Sequence, residues 1–231
     1  MKIKKYRFQS FENIYVDEMI GTLIKGQIVL ILVPSYKISY EDFNVNYLKT
    51  DETVKMNSYR NLNDKVNYFI SHSFINIFFS KLMNTTIEKL RYEVAEDKKP
   101  YIKNEYDIHY NISHTKGYCI IALSQKAIGI DIEYMDKDFE YEDIVKYSFS
   151  LKDGKCIKNF EDFYTYWVVK ESYLKYKGMG LIQGLDTVEI LRDCGDKFYI
   201  GDTLNGNYKF INIYRIRETG AKSDYVMAIC K

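Results

Sequence analysis

The spacing of the apolar residues constrains the fold of this chain more than any other feature of its sequence. Across residues 63–83, apolar side chains recur every three or four positions, which predicts an amphipathic helix whose N-cap is Asn63 or Asp64. The same spacing returns across residues 160–174 and ends before Gly178, a residue type common just after a helix. The sequence therefore predicts at least two helices with an apolar face.

Short apolar stretches with the composition of β-strands lie before and after these helices. Residues 27–33 form a nearly continuous apolar run that ends at Pro34, which is typical of a buried strand. The other predicted strands are 106–112, 118–124, 127–133, 188–191, 197–200, 208–216 and 225–230, with a hairpin turn at Asn205-Gly206. This order of elements predicts an α+β fold built from two halves of similar size, residues 1–126 and 127–231.

Charge and composition exclude several classes of protein. The 33 Lys and Arg residues nearly balance the 32 Asp and Glu residues, which does not indicate a protein that coats nucleic acid or a polybasic membrane protein. The longest apolar run, residues 28–33, is too short to span a bilayer. The four cysteines lie far apart, without the paired spacing of a zinc or redox site. These features predict a soluble cytoplasmic protein.

Two acidic residues alternate with isoleucine in the predicted strand Gly-Ile-Asp-Ile-Glu at residues 129–133. Because successive side chains of a strand point to opposite faces, Asp131 and Glu133 should project together, while Ile130 and Ile132 pack into the core on the other side. Two carboxylates on one face are suited to binding a cation. An edge strand with a solvated acidic face would have the same sequence pattern, so both interpretations stay open.

The predicted helix across residues 160–174 continues into charged residues that lie in line with its apolar face. A spacing of four places Trp167, Glu171 and Lys175 in one row. As a surface pair, Glu171 and Lys175 would contribute only about a few tenths of a kcal/mol to helix stability. Burial of a charge beside Trp167 is costly, however, unless a metal or a ligand compensates it. A surface ion pair and a binding site are the two interpretations of this pattern.

Two further motifs contain residue types that bind phosphate. The sequence Asn-Ile-Ser-His-Thr at residues 111–115 ends a predicted strand, and its imidazole and hydroxyl groups can donate hydrogen bonds to phosphate oxygens. The basic turn Lys-Lys-Pro-Tyr at residues 98–101 precedes it. Taken singly, an ordinary turn and a solvated loop explain these two motifs at least as well as a ligand site.

Taken together and in this order, the four motifs are far more specific than any one of them. The chain carries Lys-Lys-Pro at residues 98–100, Asn-x-Ser-His-Thr at 111–115, Gly-Ile-Asp-Ile-Glu at 129–133 and Trp-x-x-Lys-Glu-x-x-x-Lys at 167–175. In this it resembles the 4′-phosphopantetheinyl transferases, specifically the surfactin-synthetase-activating type, in which one chain holds two pseudo-symmetric halves.

The resemblance implies a fold, a reaction and partners. It implies two pseudo-symmetric α/β halves with a cleft between them, the first carrying coenzyme A-binding elements and the second carrying the metal site and the catalytic helix. The implied enzyme uses Mg²⁺ to transfer the 4′-phosphopantetheine arm of coenzyme A to a serine of an apo acyl or peptidyl carrier protein, and it releases adenosine 3′,5′-bisphosphate. The expected protein is a monomer that binds neither nucleic acid nor membranes.

By resemblance, the metal ligands and the catalytic residues lie in the second half. Asp131, Glu133 and Glu171 would hold Mg²⁺ through carboxylate oxygens. Glu171 would also take the proton of the serine, either directly or through a metal-bound water. Lys175, together with Lys170, would offset the charge of the pyrophosphate of coenzyme A.

The resemblance also implies coenzyme A contacts outside the second half. Ser113, His114 and Lys99 would contact the phosphates and the adenosine end of coenzyme A. Two positions depart from the family pattern: Asn67 stands where a basic residue commonly binds the 3′-phosphate, and Lys98 replaces the usual glycine before Lys-Pro. Arg60 or Lys65 could substitute in the expected 3′-phosphate contacts, and these departures leave the expected metal site unaffected.

Two rival functions are compatible with the sequence. A protein that binds coenzyme A or a nucleotide but has lost transfer would keep the pocket, although the intact Asp131, Glu133, Glu171 and Lys175 argue against this rival. A structural α+β interaction module would carry the motifs by chance and would bind no coenzyme A. An assay of phosphopantetheine transfer distinguishes both rivals from an enzyme.

Overall fold

A computed structural model describes most of the chain, which divides into two compact units. The described residues are 2–7, 11, 14–94, 99–179, 184–193, 195–202, 207–216 and 225–231. One unit comprises Met1–Ala95 and Pro100–Lys126, and the other comprises Glu96–Lys99 and Ala127–Lys231. Each unit combines helices with its own β-sheet, which confirms the predicted α+β class.

The first unit is built on a four-stranded sheet. Its elements are strand β1 (Ile3–Arg7), helix α1 (Val16–Ile24), strand β2 (Ile28–Pro34), helices α2 (Thr50–Ser58) and α3 (Leu62–Leu82), and strands β3 (Glu93–Val94), β4 (Pro100–Tyr101), β5 (His109–Thr115) and β6 (Tyr118–Ser124). The sheet order is β1-β2-β6-β5, in which β1 runs parallel to β2 and the other pairs are antiparallel. All seven residues of β2 are buried, in agreement with its continuous apolar run.

Helix α3 forms the core of this unit together with strands β2 and β6. Most of its residues from Val66 to Phe79 are buried, so the helix is enclosed on nearly all sides, and the prediction of an amphipathic helix was wrong. Its N-cap is Asn61, whose side-chain oxygen accepts a hydrogen bond from the N–H of Asn63 at 2.8 Å. The predicted caps, Asn63 and Asp64, were wrong. Helical geometry already begins at Leu62, and a cap must precede the first helical residue.

A buried polar network connects α2 with α3. Glu52 is 6% exposed, and one of its oxygens accepts hydrogen bonds from the backbone N–H of Lys49 at 2.9 Å and the side-chain amide of Asn76 at 2.6 Å. Nδ1 of His72 lies 2.8 Å from the other oxygen, and the hydroxyl of Tyr92 donates to Asn76 at 2.7 Å. Burial acts to raise the pKa of Glu52, but the hydrogen bonds from His72, Lys49 and Asn76 outweigh it and lower the pKa below 4.5.

The lowered pKa predicts that protonation of Glu52 at acidic pH lowers the free energy of unfolding of the first unit. Its contribution to the free energy of unfolding is fully present above pH 4.5, the ordinary value, and is lost as the pH falls through the lower value of the folded protein. Urea unfolding of the wild type and Glu52→Gln between about pH 3 and pH 6 should show a stability difference that shrinks with decreasing pH. Glu41→Gln, at an exposed position, is the control. A difference that stays constant with pH would contradict this account.

The second unit is built on a five-stranded antiparallel sheet. Its elements are strand β7 (Gly129–Tyr134), helices α4 (Glu142–Ser148), α5 (Leu151–Cys156) and α6 (Phe160–Lys177), and strands β8 (Glu189–Asp193), β9 (Lys197–Asp202), β10 (Asn207–Ile216) and β11 (Tyr225–Cys230). The sheet order is β7-β11-β10-β9-β8, and every pair is antiparallel. Helix α6 packs mainly against β7 and β11. These two strands and the helix therefore position the predicted site.

Most predicted elements agree with the structure to within a few residues. Strands β6 and β11 begin and end where predicted, whereas β5 lies three residues later than the predicted 106–112, because its polar end stays paired with β6 up to the turn at Lys116-Gly117. The hairpin predicted at Asn205-Gly206 lies outside the described residues. In the described ranges, no helix combines the length and the apolar composition needed to cross a membrane.

Candidate active site

Helix α6 carries three of the predicted site residues, and its local sequence determines both of its ends. The side-chain oxygen of Asn159 accepts a hydrogen bond from the N–H of Asp162 at 2.8 Å and caps the N-terminus. Gly178 ends the helix with a φ of 74°, a left-handed conformation that glycine adopts without strain. The N–H of Met179 then donates to the backbone oxygen of Leu174 at 2.9 Å. These ends place Lys170, Glu171 and Lys175 in the second half of the helix.

Gly129 allows strand β7 to lie directly against α6. A Cβ atom at this position would lie 2.0 Å from the backbone oxygen of Ser172 and 2.3 Å from the backbone nitrogen of Tyr176, which leaves no room for a side chain. Because side chains alternate along a strand, Asp131 and Glu133 share the face of Gly129 and lie on the side of β7 that faces α6.

This arrangement corrects the predicted division of β7 into a core face and a separate carboxylate face. Asp131 pairs with Ala228 of β11, and Ala228 belongs to the core that α6 covers. The carboxylate face is therefore the face that packs against the helix. Ile130 and Ile132 lie on the opposite face and are also fully buried. A strand with both faces buried cannot be oriented from its apolar residues alone.

An ion pair joins β7 to α6 at the predicted site. Nζ of Lys175 donates a hydrogen bond to Oδ1 of Asp131 at 2.6 Å. The side chain of Asp131 is 4% exposed and that of Lys175 is 28% exposed, so the pair joins a buried carboxylate to a side chain that solvent still reaches. Glu171 is itself buried, so the interpretation of Glu171 and Lys175 as a surface pair was wrong.

Glu171 lies close to this ion pair, and neighbouring groups compensate the charge of its buried carboxylate only in part. It is 4% exposed, and within the described residues its Oε1 has no hydrogen-bond partner. Burial, followed by the charge of Asp131, raises the pKa of Glu171 to about 7, although the charge of Lys175 opposes the increase. A buried carboxylate with such a shift, next to charged neighbours, is typical of catalytic and binding sites.

Two of the three predicted metal ligands fit a divalent cation. Asp131 and Glu171 supply hard oxygen donors, and a cation would compensate the buried Oε1 of Glu171. Glu133 is half-buried towards the end of β7. Across the part of the chain that the structure describes, no three His, Cys, Asp or Glu side chains are grouped so that they could hold one metal ion. The set of three carboxylates stays a prediction.

Lys170 lies outside this cluster, although it precedes Glu171 in the chain. Its side chain is fully buried, and its Nζ lies 2.5 Å from Oδ2 of Asp153 and donates to the backbone oxygen of Leu185 at 2.8 Å. Nζ also lies 4.9 Å from the ring centroid of Phe149. The structure contradicts the predicted contact of Lys170 with coenzyme A, because the ammonium is enclosed and already paired with a buried carboxylate.

Lys99 contacts backbone atoms near the same cluster. Its Nζ donates hydrogen bonds to the backbone oxygens of Ile128 at 2.9 Å and Lys175 at 3.1 Å, and all three residues belong to the second unit. The neighbouring Lys98 lies outside the described residues. The phosphate contact predicted for Lys99 stays a prediction, and its ammonium already has these two backbone acceptors.

Ser113 and His114 are consecutive residues of β5 in the first unit. Side-chain alternation therefore places them on opposite faces of the strand, where Ser113 is buried and His114 is exposed. A ligand lying over one face of β5 would meet only one of the two side chains. Asn67, at the position where a basic residue was expected, is 3% exposed within α3.

Comparisons with protein families match both units of the chain. A family model described as the 4′-phosphopantetheinyl transferase superfamily matches residues 127–230, and one described as 4′-phosphopantetheinyl transferase, N-terminal, matches residues 36–126. The chain belongs to the 4′-phosphopantetheinyl transferase superfamily. This membership confirms the resemblance that the four sequence motifs indicated.

Individual members of the superfamily are similar over different shares of the chain. A 4′-phosphopantetheinyl transferase from Bacillus subtilis is 33% identical over 150 residues, which are 61% of this chain and 62% of the relative. The 4′-phosphopantetheinyl transferase gsp of Aneurinibacillus migulanus is 27% identical over 53% of each chain. A putative 4′-phosphopantetheinyl transferase from Synechocystis sp. is 22% identical over 86% of this chain and 81% of the relative. The chain thus matches less than two thirds of the first two relatives' own length.

Two residues of the second unit were missed in the sequence: Gly129, which lets β7 approach α6 at the site, and Asp153, which pairs with Lys170 outside it. Gly129 has a recognisable signal, because a glycine inside a strand pattern often marks the close approach of another backbone. Asp153 has no such signal, since it lies in a short polar helix with no pattern that connects it to Lys170. Only the contact between Asp153 of α5 and Lys170, inside α6, reveals their pairing.

Proposed function

We propose that this chain is a 4′-phosphopantetheinyl transferase, which transfers the 4′-phosphopantetheine arm of coenzyme A to a serine of an apo carrier protein. Matches to the transferase superfamily in both halves support the proposal. The observation that carries it is the cluster of Asp131, Glu171 and Lys175 in the second unit. Buried carboxylates beside an ammonium provide the charges that a reaction at a pyrophosphate requires.

The proposed reaction exchanges one oxygen for another at phosphorus. The serine oxygen of the carrier forms a bond to the phosphorus that bears the pantetheine arm, and the bond from that phosphorus to the bridging oxygen of the pyrophosphate breaks. The bridging oxygen keeps the electron pair and leaves as part of adenosine 3′,5′-bisphosphate. Glu171 takes the serine proton, and its Oε1 is available because no other hydrogen bond engages it in the described residues.

Lys175 and Asp131 act together in this proposal. The ammonium of Lys175 offsets negative charge on the pyrophosphate, and Asp131 orients that ammonium through the 2.6 Å hydrogen bond. Asp131 and Glu171 would also hold Mg²⁺, with Glu133 as the predicted third ligand. When bound, Mg²⁺ supplies a positive charge that stabilises the phosphate oxygens.

The proposal extends to the partners and the setting of the enzyme. We propose apo acyl or peptidyl carrier proteins of fatty-acid, polyketide or nonribosomal peptide synthesis as acceptors. We also propose that residues 1–126 carry coenzyme A-binding elements, including Ser113 and His114, and that residues 127–231 carry the catalytic cluster. The expected enzyme is a cytoplasmic monomer that binds neither nucleic acid nor membranes.

Direct transfer to apo carrier proteins tests the proposal. The protein is incubated with coenzyme A, Mg²⁺ and one apo carrier from each of the three pathway classes, and each carrier is weighed by mass spectrometry. We expect a mass gain of one phosphopantetheine arm on at least one carrier, with none after removal of divalent cations by EDTA. A carrier whose acceptor serine is replaced by alanine is the control and should gain no mass.

The same assay tests the rival of a coenzyme A-binding protein without transfer activity. The relatives named above are all described as transferases, so the comparisons do not support this rival. Calorimetry that detects coenzyme A binding, combined with unmodified carriers in every reaction, would favour the rival and overturn the proposed function.

A further inference from the structure

The ammonium group of Lys99 bridges two chain segments that form the candidate active site. It donates to the backbone oxygen of Ile128 at 2.9 Å and to that of Lys175 at 3.1 Å. Ile128 immediately precedes strand β7, and Lys175 lies in the last turn of α6. Lys99 belongs to the same compact unit as both acceptors, although it is distant from them in sequence.

The two acceptors lie at the closest approach of β7 to α6. Next to Ile128 is Gly129, at which a Cβ atom would overlap the backbone of Ser172 and Tyr176. The backbone oxygen of Lys175 also accepts from the N–H of Gly178 at 3.3 Å, and carbonyl oxygens in the last turn of a helix carry the negative end of the helix dipole. A cation that donates to the oxygen of Lys175 is therefore favourable at this helix end, and its second bond attaches the helix to the strand.

Lys175 connects this bridge to the proposed chemistry. Lys99 holds the backbone of Lys175, while the side chain of Lys175 donates to Asp131 at 2.6 Å. We propose that Lys99 is a positioning residue that attaches the C-terminal end of α6 to β7, so that Lys175 is held beside Asp131 in the orientation the reaction needs. This inference rests on the proposed function and replaces the phosphate contact that the resemblance implied for Lys99.

The donor geometry of Lys99 favours this role over a phosphate contact. An ammonium group has three donors, and backbone carbonyls already accept from two of them. Moving the ammonium onto a phosphate group would break these two charge-assisted hydrogen bonds and release the end of α6. A positioning role uses the contacts as they are.

Lys99→Met tests the bridge because it keeps an unbranched apolar side chain as far as Cε and removes the donors. We expect amide hydrogen exchange at Gly178 and Met179, which close the helix end, to become about tenfold faster, as expected for the loss of a charge-assisted hydrogen bond. Turnover should fall about tenfold, while the Kd for coenzyme A measured by calorimetry stays within about twofold of wild type. Lys99→Arg should recover part of both losses. Lys177→Met, at the same helix end, is the matched control and should behave as wild type.

A double variant tests whether Lys99 acts through Lys175. If it does, Lys99→Met should change turnover by less than about twofold when it is added to Lys175→Met. If the turnover losses of the two single variants multiply in the double variant, the inference is overturned. A Kd for coenzyme A that rises about tenfold in Lys99→Met without faster exchange, which is the outcome for a phosphate ligand, would also overturn it. Hydrogen exchange needs no activity, so it tests the bridge even if the wild type transfers nothing and the proposed function fails.

Discussion

Glu171→Gln is expected to lower the turnover number for phosphopantetheine transfer by about 10²–10⁴-fold, the range associated with the loss of a general base. The amide has almost the same volume as the carboxylate, so the packing of α6 against β7 is preserved. It cannot accept the serine proton, and it offers a cation no negative charge. Single-turnover measurements, with the enzyme and coenzyme A both in excess over the carrier, give the rate of the chemical step.

The same substitution is expected to raise the melting temperature of the metal-free protein. Burial and the charge of Asp131 raise the pKa of Glu171 to about 7, above the ordinary 4.5, so the ionised carboxylate weakens folding above pH 4.5. A neutral amide removes that penalty. If Asp131 and Glu171 hold Mg²⁺, the metal should raise the melting temperature of the wild type more than that of the variant. Thermal unfolding with and without Mg²⁺ measures both effects.

Glu161→Gln is the matched control for this prediction. Glu161 lies on the same helix, in the first turn and exposed, so its amide variant should keep wild-type turnover and wild-type response to Mg²⁺. Wild-type turnover in Glu171→Gln would contradict the role of base. If Glu171→Gln instead has a lower melting temperature than the wild type without metal, the buried carboxylate does not destabilise the fold, which would contradict the incomplete compensation of its charge.

Local sequence signals were sufficient to predict the elements that carry the site. Helix α6 was predicted because its apolar residues follow a helical period and Gly178 follows its last turn. Strand β7 was predicted within two residues because Ile130 and Ile132 alternate with acidic residues. In both cases a pattern within one segment determines the local structure, without information from the rest of the chain.

Several of the elements that were missed lack such patterns. Strand β1 is only five residues long and carries exposed lysines, and helices α4 and α5 have seven and six residues with mostly polar surfaces. Short elements of this kind are stabilised by neighbours that are distant in sequence rather than by their own periodicity. Helix α1 is amphipathic, but its nine residues give too few repeats for a secure prediction.

The arrangement of the site depended on contacts that no local pattern specifies. Sequence alternation placed Asp131 and Glu133 on one face of β7 but did not reveal that this face packs against α6. That orientation depends on the close approach at Gly129. Likewise, the spacing of Glu171 and Lys175 suggested that they pair with each other, whereas Lys175 donates to Asp131 on the strand. Strand orientation and ion-pair partners are tertiary properties, so they required the structure.

Lys170→Met is expected to lower the free energy of unfolding by about 3–5 kcal/mol, because it leaves Asp153 as a buried charge without its partner. The side chains of Lys170 and Asp153 are 0% and 2% exposed, so water cannot replace the lost contact. Burial lowers the pKa of Lys170 and the ion pair with Asp153 opposes that change, in line with a pair that compensates the cost of desolvation. Urea unfolding of the two proteins measures the difference.

A second substitution should restore much of the lost stability. In Lys170→Met/Asp153→Leu, both charges are replaced by apolar side chains, and buried ion pairs replaced in this way are often neutral or stabilising. Lys152→Met is the control on α5, because Lys152 forms an exposed pair with Glu189 at 3.4 Å and its loss should change stability by less than about 1 kcal/mol. A double variant that remains as unstable as the single one would contradict the ion-pair account.

Coenzyme A affinity separates this structural role from the phosphate contact that resemblance assigned to Lys170. Because the ammonium is enclosed by Asp153, Leu185 and Phe149, we expect the refolded double variant to bind coenzyme A with a Kd within about twofold of wild type in calorimetry. A phosphate ligand would behave differently, since stability would return while affinity fell about tenfold or more. That result would place Lys170 in the coenzyme A site, against the contacts that the structure shows.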